Sequence, residues 1–102
     1  MTRGEVWWME HPDLGPRPVC VITRASAIPV LGRVTIAPAT RTMRGIPSEV
    51  MLTRADGLPA DCVLTLDNVT TVSKALLVRR IGELSATRMR EVCRALHVAV
   101  DC

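Results

Sequence analysis

The sequence contains almost no aromatic residues. Trp7 and Trp8 are the two aromatic residues among 102, and there is no Phe and no Tyr. A core without aromatic rings has to be built from Val, Leu, Ile, Met and Ala, and hydrophobic residues do make up 48% of the chain. For the same reason, a surface that stacks on nucleobases has to use a tryptophan or the plane of an arginine side chain.

Lysine and long apolar runs are also scarce. Of the 13 basic residues all but Lys74 are arginine, and against 10 acidic residues they give a net charge of +3. That bias is weak for a duplex-binding protein, although a guanidinium pairs with phosphate through two hydrogen bonds where an ammonium acts as a point charge. No apolar run approaches the ~20 residues of a membrane-spanning helix, and the N-terminus has no signal-peptide core. We therefore expect a cytoplasmic protein with no membrane partner.

The cysteines show no metal-binding pattern. They are Cys20, Cys62, Cys93 and Cys102. None of them forms a CxxC pair, and no histidine is close enough in sequence to suggest a zinc site. Cys20 and Cys93 fall on apolar faces of predicted elements, so we expect buried reduced thiols, with a disulfide pair as the alternative. Because P-loop and Ser-His-Asp patterns are absent too, we predict no metal and no cofactor.

Short apolar segments separated by glycine and proline predict a mainly β fold. The expected strands are residues 5–10, 19–23, 33–39, 48–53, 62–67, 69–72 and 78–84. The third of these is expected to end against Pro38, and Ser73 is a candidate start of a single helical turn.

One amphipathic helix is predicted at the C-terminal end, with Ser85 as its N-cap. The apolar residues that follow are spaced by three and four, as on one helical face: Met89, Val92, Cys93, Leu96 and Val100. The opposite, polar face is expected to carry Arg88, Arg90, Glu91, Arg94 and His97. Short strands closed by one helix predict a single domain, residues 1–102, folded as a small half-open β-barrel. Such apolar strands leave area to cover, so we expect a homodimer.

Polar residues at strand ends are the candidate functional residues. Arg17 lies between two prolines, and the second biases its backbone toward extended geometry. Thr40 follows one predicted strand, and Asp67 and Asn68 end another. In a small barrel such ends can converge at one rim, where arginine, hydroxyl and amide groups suit a phosphodiester. Each residue also has a structural interpretation, as a surface ion pair, a turn-capping hydroxyl or an Asx turn.

Five segments, taken in order, resemble the MazF/PemK family of toxin endoribonucleases. They are RGEVWWME, GPRPVCVIT, VTIAPATRT, DCVLTLDNVTTVSKALL and RRIGEL, and the match spans about residues 3–98. The resemblance implies an SH3-like barrel with a C-terminal helix, as in PemK and CcdB, that forms a homodimer. It also implies metal-independent cleavage of single-stranded RNA at short sequences. Attack by the ribose 2′-hydroxyl would leave 2′,3′-cyclic phosphate and 5′-hydroxyl ends.

The same resemblance implies roles for individual residues. Arg17, in the RPV motif, would neutralise the pentacoordinate phosphorane, and Thr40 would hydrogen-bond the phosphate. Asp67 and Asn68 match an acidic–amide pair that contacts RNA bases in relatives. Further candidate RNA contacts are Arg41, Arg44, Trp8 and His11. The chain departs from many relatives in having arginine rather than serine after Thr40 and a shorter loop before Arg17.

The implied partners are RNA and an antitoxin. The RNA would be mRNA, with tRNA and rRNA as alternatives, and its cleavage would inhibit translation and growth. The antitoxin would place an acidic, partly disordered C-terminal tail along the basic RNA groove. Two alternatives stay open: a CcdB-like gyrase poison and a catalytically silent barrel that only binds the antitoxin. The ending HVAVDC lacks the tryptophan-containing apolar tip of the gyrase poisons, which argues against the first alternative.

Overall fold

The computed structural model describes residues 1–101, in which seven antiparallel strands precede one C-terminal helix. The strands are β1 (Glu5–His11), β2 (Gly15–Val21), β3 (Arg33–Thr40), β4 (Glu49–Leu52), β5 (Cys62–Thr65), β6 (Thr70–Ser73) and β7 (Leu77–Glu83), and the helix α1 is Ala86–Val100. Short 3₁₀ turns lie at Ile28–Val30, Arg54–Asp56, Leu66–Asn68 and Lys74–Leu76. The predicted fold class, mainly β with a C-terminal helix, is confirmed. No helix within these residues is long and apolar enough to cross a membrane.

The sheet stays open and does not close into a full barrel, which agrees with the predicted half-open barrel. Its strand order is β4-β5-β3-β2-β1-β7, and β6 pairs with the first half of β3. β3 is therefore the central strand and changes partner along its length. Its middle pairs with β2, up to the pair Val19–Pro38, and its last two residues pair with β5.

Two aliphatic clusters fill the core on opposite faces of the sheet. Cys20 and Ala37 belong to the larger cluster, whereas their strand neighbours Val19 and Ile36 belong to the smaller one. Because successive residues of a strand point to opposite faces, the clusters are separated by the sheet. Helix α1 covers the larger cluster. The expectation of a core made of aliphatic residues is met.

Every strand differs from its predicted bounds by at least one residue, and three of these differences have a clear physical reason. β2 begins at Gly15 rather than Val19, because residues 15–18 pair with β1 in a hairpin. β3 continues through Pro38 to Thr40, since Pro38 stands where the strand exchanges β2 for β5 and its missing N–H falls at the end of a ladder. The strand predicted over 62–67 stops at Thr65, and the next three residues form a 3₁₀ turn.

Helix α1 starts as predicted but packs through a rotated face. The Ser85 hydroxyl accepts a hydrogen bond from the Arg88 N–H at 3.1 Å, which confirms the N-cap. The buried residues are Val92 and Ala95, and Cys93 is exposed. The prediction of a buried Cys93 is therefore wrong, because small alanines rather than Cys93 continue the packed face.

The other cysteine predictions have separate outcomes. Cys20 is a buried free thiol, as expected, and Cys62 is buried and free as well. Cys102 lies outside the described residues.

Arg88, expected on the solvent face, instead forms salt bridges with Asp56 at 3.0 Å and Glu91 at 2.9 Å.

Candidate active site

A groove of about 410 Å³ opens where β2 and β3 separate. The ladder between them ends at the pair Val19–Pro38, beyond which Thr40 pairs with Val63 of β5. If the β2–β3 register is continued by two residues beyond the pair Val19–Pro38, Arg17 comes opposite Thr40. Both residues border the groove. The departure of β3 from β2 thus creates the space between the two candidate catalytic residues.

Four chain segments line this groove. They contribute Trp8 of β1, Pro16, Arg17 and Pro18 of β2, Ala39, Thr40 and Arg41 at the end of β3, and residues 58–62, which lead into β5. Four of the eight residues predicted from the sequence, namely Trp8, Arg17, Thr40 and Arg41, therefore lie around one opening.

Arg17 is held from one side and unpartnered on the other. Its Nη2 donates to the Leu14 carbonyl at 2.8 Å, inside the hairpin turn that Gly15 permits with its φ of 75°. Its Nε is buried and is the one such side-chain atom in residues 1–101 without a hydrogen-bond partner. A buried donor without an acceptor is destabilising, more so when it is charged. The Nε–H group can therefore still donate a hydrogen bond to an acceptor from outside these residues.

Thr40 adds a hydroxyl donor to the same groove. Its Oγ1 accepts a hydrogen bond from the Thr42 N–H at 3.3 Å. A hydroxyl that accepts in this way keeps its own proton available for donation. A guanidinium and a hydroxyl on adjacent strands can together bind the oxygens of an anion such as a phosphodiester.

The other predicted site residues lie outside the groove. Asp67 is exposed in the 3₁₀ turn after β5, accepts a hydrogen bond from the Ser48 hydroxyl, and is followed by the exposed Asn68. Arg44 is exposed in the loop between β3 and β4. His11 borders a separate depression with Glu10, Pro12 and Pro16, the last of which also lines the groove. The His11 Nδ1 accepts hydrogen bonds from the Asp13 and Leu14 N–H groups, so this side chain caps the hairpin turn.

Sequence reasoning missed the wall formed by residues 58–62. The segment ADGLPAD indicates only a turn, and nothing local places it beside β2. The turn is anchored by buried Leu58 and by a capping box in which Thr53 and Asp56 bond each other's backbone. Asp56 also accepts a hydrogen bond from Arg88 of α1 at 3.0 Å. These long-range contacts bring Asp61 and Cys62 to the groove.

Comparison of the sequence with known protein families identifies the family of this chain. A model of PemK-like, MazF-like toxins of type II toxin–antitoxin systems matches residues 2–100. The chain belongs to this family. The resemblance inferred from the sequence is thereby confirmed.

Mycobacterial toxins are prominent among the similar proteins. The chain is 52% identical to the probable endoribonuclease MazF5 of Mycobacterium tuberculosis H37Rv, over 99% of this chain and 94% of that protein. It is 40% identical to the probable endoribonuclease MazF2 of the same strain over the full length of both. Among solved structures, M. tuberculosis toxin MazF-mt6 superposes with a TM-score of 0.88 at 33% identity, covering 95% of this chain and 96% of that one. An endoribonuclease from a mycobacterial species, in complex with its cognate antitoxin, gives 0.89 at 25% identity, covering 99% and 95%.

The groove of this MazF-like toxin also contains a thiol with an altered pKa. Burial raises the pKa of Cys62, the neighbouring carboxylates of Asp61 and Asp56 raise it further, and the Arg41 guanidinium opposes them. The thiol therefore stays protonated at neutral pH. Within residues 1–101, no three His, Cys, Asp or Glu side chains are grouped in a way that could hold a metal ion.

Proposed function

We propose that this toxin is an endoribonuclease and that the groove between Arg17 and Thr40 is its active site. The observation that carries the proposal is Arg17, whose buried Nε has no acceptor within residues 1–101 and whose side chain borders an open groove together with Thr40. Its relatives named as endoribonucleases support the reaction class. An RNA phosphodiester supplies the acceptor oxygens that these donors lack.

The proposed reaction is an internal transfer at phosphorus. The ribose 2′-oxygen loses its proton to a base and attacks the adjacent phosphorus, and the bond to the 5′-oxygen of the next nucleotide breaks as that oxygen gains a proton. The products are a 2′,3′-cyclic phosphate and a 5′-hydroxyl end. Arg17 and Thr40 stabilise the negative charge that accumulates on the phosphorane oxygens, and donors fixed in place before the reaction stabilise it most. The guanidinium supplies the positive charge in this scheme, which includes no metal ion.

RNA longer than one nucleotide extends beyond the groove. Trp8 offers a stacking plane and Arg41 a phosphate contact inside it. We include the exposed Arg44, Asp67 and Asn68 as contacts to flanking nucleotides. The His11 Nε2 edge is a fourth candidate for such a contact.

The proposed partners are an antitoxin and a second copy of the chain in the cytoplasm. A related mycobacterial endoribonuclease was solved with its cognate antitoxin. For this toxin we propose an antitoxin whose acidic C-terminal tail binds the surface that carries Arg41 and Arg44. For the homodimer, Met51 of the outermost strand β4 and Val98 of α1 line one depression and are 50% and 49% exposed. Sedimentation velocity measures the oligomeric state directly.

The decisive experiment is cleavage of a defined RNA in EDTA, followed by mapping of the cut ends. We expect cuts at a short sequence, with 2′,3′-cyclic phosphate and 5′-hydroxyl ends. Ends with a 5′-phosphate, or cleavage that requires a divalent cation, would contradict the mechanism. No cleavage, together with antitoxin binding, supports the silent barrel, and inhibition of gyrase in a plasmid relaxation assay supports the CcdB-like alternative.

A further inference from the structure

Asp61 is the acidic residue that borders the groove. The other ionisable side chains around the groove are Arg17, Arg41 and Cys62. Asp61 is exposed, and its side chain forms no hydrogen bond or salt bridge with any residue in the range 1–101. A carboxylate without a partner at a site for a polyanion weakens binding of the phosphate backbone, unless it accepts a hydrogen bond from another part of the RNA.

Two other aspartates, on the segments before and after β5, already accept hydrogen bonds from side chains. Asp67 accepts a hydrogen bond from the Ser48 hydroxyl. Asp56 forms a salt bridge with Arg88 at 3.0 Å. Asp61 therefore differs from these two aspartates in having its full acceptor capacity available to a ligand.

The register places Asp61 close to the candidate catalytic threonine. Thr40 stands opposite Val63. Asp61 precedes Val63 by two residues and lies one residue before β5, so the strand alternation continued by that residue puts it on the same face of the chain. One strand across and two residues along corresponds to roughly 8 Å between the Thr40 and Asp61 Cα atoms. That offset suits contact with a nucleotide next to the phosphate held by Thr40, rather than with the phosphate itself.

We propose that Asp61 determines specificity by accepting a hydrogen bond from the base of a nucleotide adjacent to the cleaved bond. This inference rests on the proposed endoribonuclease function. An ionised carboxylate only accepts hydrogen bonds, so it selects bases with an exocyclic amine: cytosine, adenine or guanine. Uracil places a carbonyl oxygen on each side of its single N–H, and those oxygens repel a carboxylate.

The test is a library of RNAs randomised around a cleavage site, with sequencing of the 5′-hydroxyl ends. We expect the unmodified toxin to disfavour uracil at one position. Asp61→Asn retains the size of the side chain and adds a donor, so the preference for amine-bearing bases over uracil at that position should fall about tenfold. Asp13→Asn removes an exposed carboxylate in the hairpin turn, outside the groove, and should leave the profile unchanged.

The outcomes separate this inference from the proposed function. If the unmodified toxin cuts RNA and both Asp61→Asn and Asp61→Ala keep its base profile, the assignment of Asp61 is wrong and the proposed function stands. Equal slowing at every site, with the same base preferences, also overturns the assignment. If the unmodified toxin cuts no RNA, the proposed function itself fails. Circular dichroism checks the fold, and Asp67→Asn shows whether the carboxylate predicted from the sequence reads the base instead.

Discussion

Two groups of charged side chains in this toxin are organised in opposite ways. Around buried Glu5, Oε2 accepts from Arg80 Nε at 2.7 Å, and Oε1 accepts from the Thr2 N–H at 2.7 Å and from Trp7 Nε1 at 3.2 Å. In the groove, the buried Arg17 Nε has no partner within residues 1–101. Charged groups whose hydrogen bonds are all made within the chain, here called a saturated network, stabilise the structure. A charged group with an unused donor or acceptor can still bind a ligand. The difference in saturation, rather than the presence of charge, distinguishes the candidate site.

The saturated group also shows how partners overcome burial. Burial by itself raises the pKa of Glu5, but the hydrogen bonds from Arg80, Thr2 and Trp7 outweigh it and lower the pKa below its usual range. Glu5 therefore stays ionised although it is buried. The network connects the N-terminal residues, β1 and β7, which is a structural role.

Removal of Arg17 should have the largest effect. Arg17→Ala removes the groove's unpartnered donor, and RNA cleavage should fall at least about 100-fold, the loss typical of a missing charge-stabilising donor. Arg17→Lys keeps a charge but loses the planar guanidinium, so we expect a large loss there too. Rates come from single-turnover cleavage of one RNA, with circular dichroism as the check of fold.

The same variant tests the structural side of the comparison. Because Arg17 contributes one hydrogen bond and one unsatisfied donor, its removal should leave the melting temperature unchanged or raise it. A marked fall in the melting temperature would show that Arg17 has a structural role and is not primarily a ligand-binding residue.

Substitution of Glu5 should produce the opposite pattern. Glu5→Gln leaves several donors poorly matched in a buried position, so the free energy of unfolding should fall by about 1–3 kcal/mol. Cleavage by the folded protein should stay close to that of the unmodified toxin, since Glu5 does not border the groove. The matched control is Glu83→Gln, an exposed carboxylate opposite Glu5 on β7, which should change stability little. Urea unfolding of both variants measures the difference.

The fold could be predicted largely because its signals are local. Turn residues separate the strands, and Ser85 starts the helix with its own hydroxyl. Arg17 and Thr40 could be singled out because rigid residues and a family motif mark them, and the structure places both at one groove.

What could not be predicted depends on contacts between distant residues. Asp61 reaches the groove because Leu58 is buried and Arg88, far along the chain, bonds Asp56. The helix face was misassigned at Cys93 because apolar spacing alone does not show which of two overlapping faces the sheet will cover. Small Ala95 packs closely there, a choice that only the assembled core determines.

Acid should weaken the fold through its satisfied carboxylates. For Asp56, burial raises the pKa, but hydrogen bonds from Arg88 and Thr53 outweigh it, so the folded-state pKa is lowered, as it is for Glu5. A lowered folded-state pKa stabilises the fold above the unfolded pKa of about 4, and this stabilisation is lost as pH falls through the folded value. Urea unfolding at neutral pH and below pH ~4 should show the loss. Glu5→Gln should flatten this dependence, and an equal slope in both proteins would contradict the assignment.

Substitution of the cysteines should have the smallest effect of these changes, because it should leave RNA cleavage unchanged. Burial raises the pKa of Cys20 to about 12, so almost none of it is thiolate at pH 8, whereas Cys93 is exposed. In a Cys102→Ser background, one thiol should react rapidly with a disulfide reagent, while Cys20 and Cys62 should react only as the protein opens. Adding Cys93→Ser should remove the rapid phase and leave cleavage unaltered, since Cys93 does not border the groove. If two thiols react rapidly in the folded protein, Cys62 in the groove wall is open to solvent. The groove and the Glu5 network would then differ less than the structure indicates.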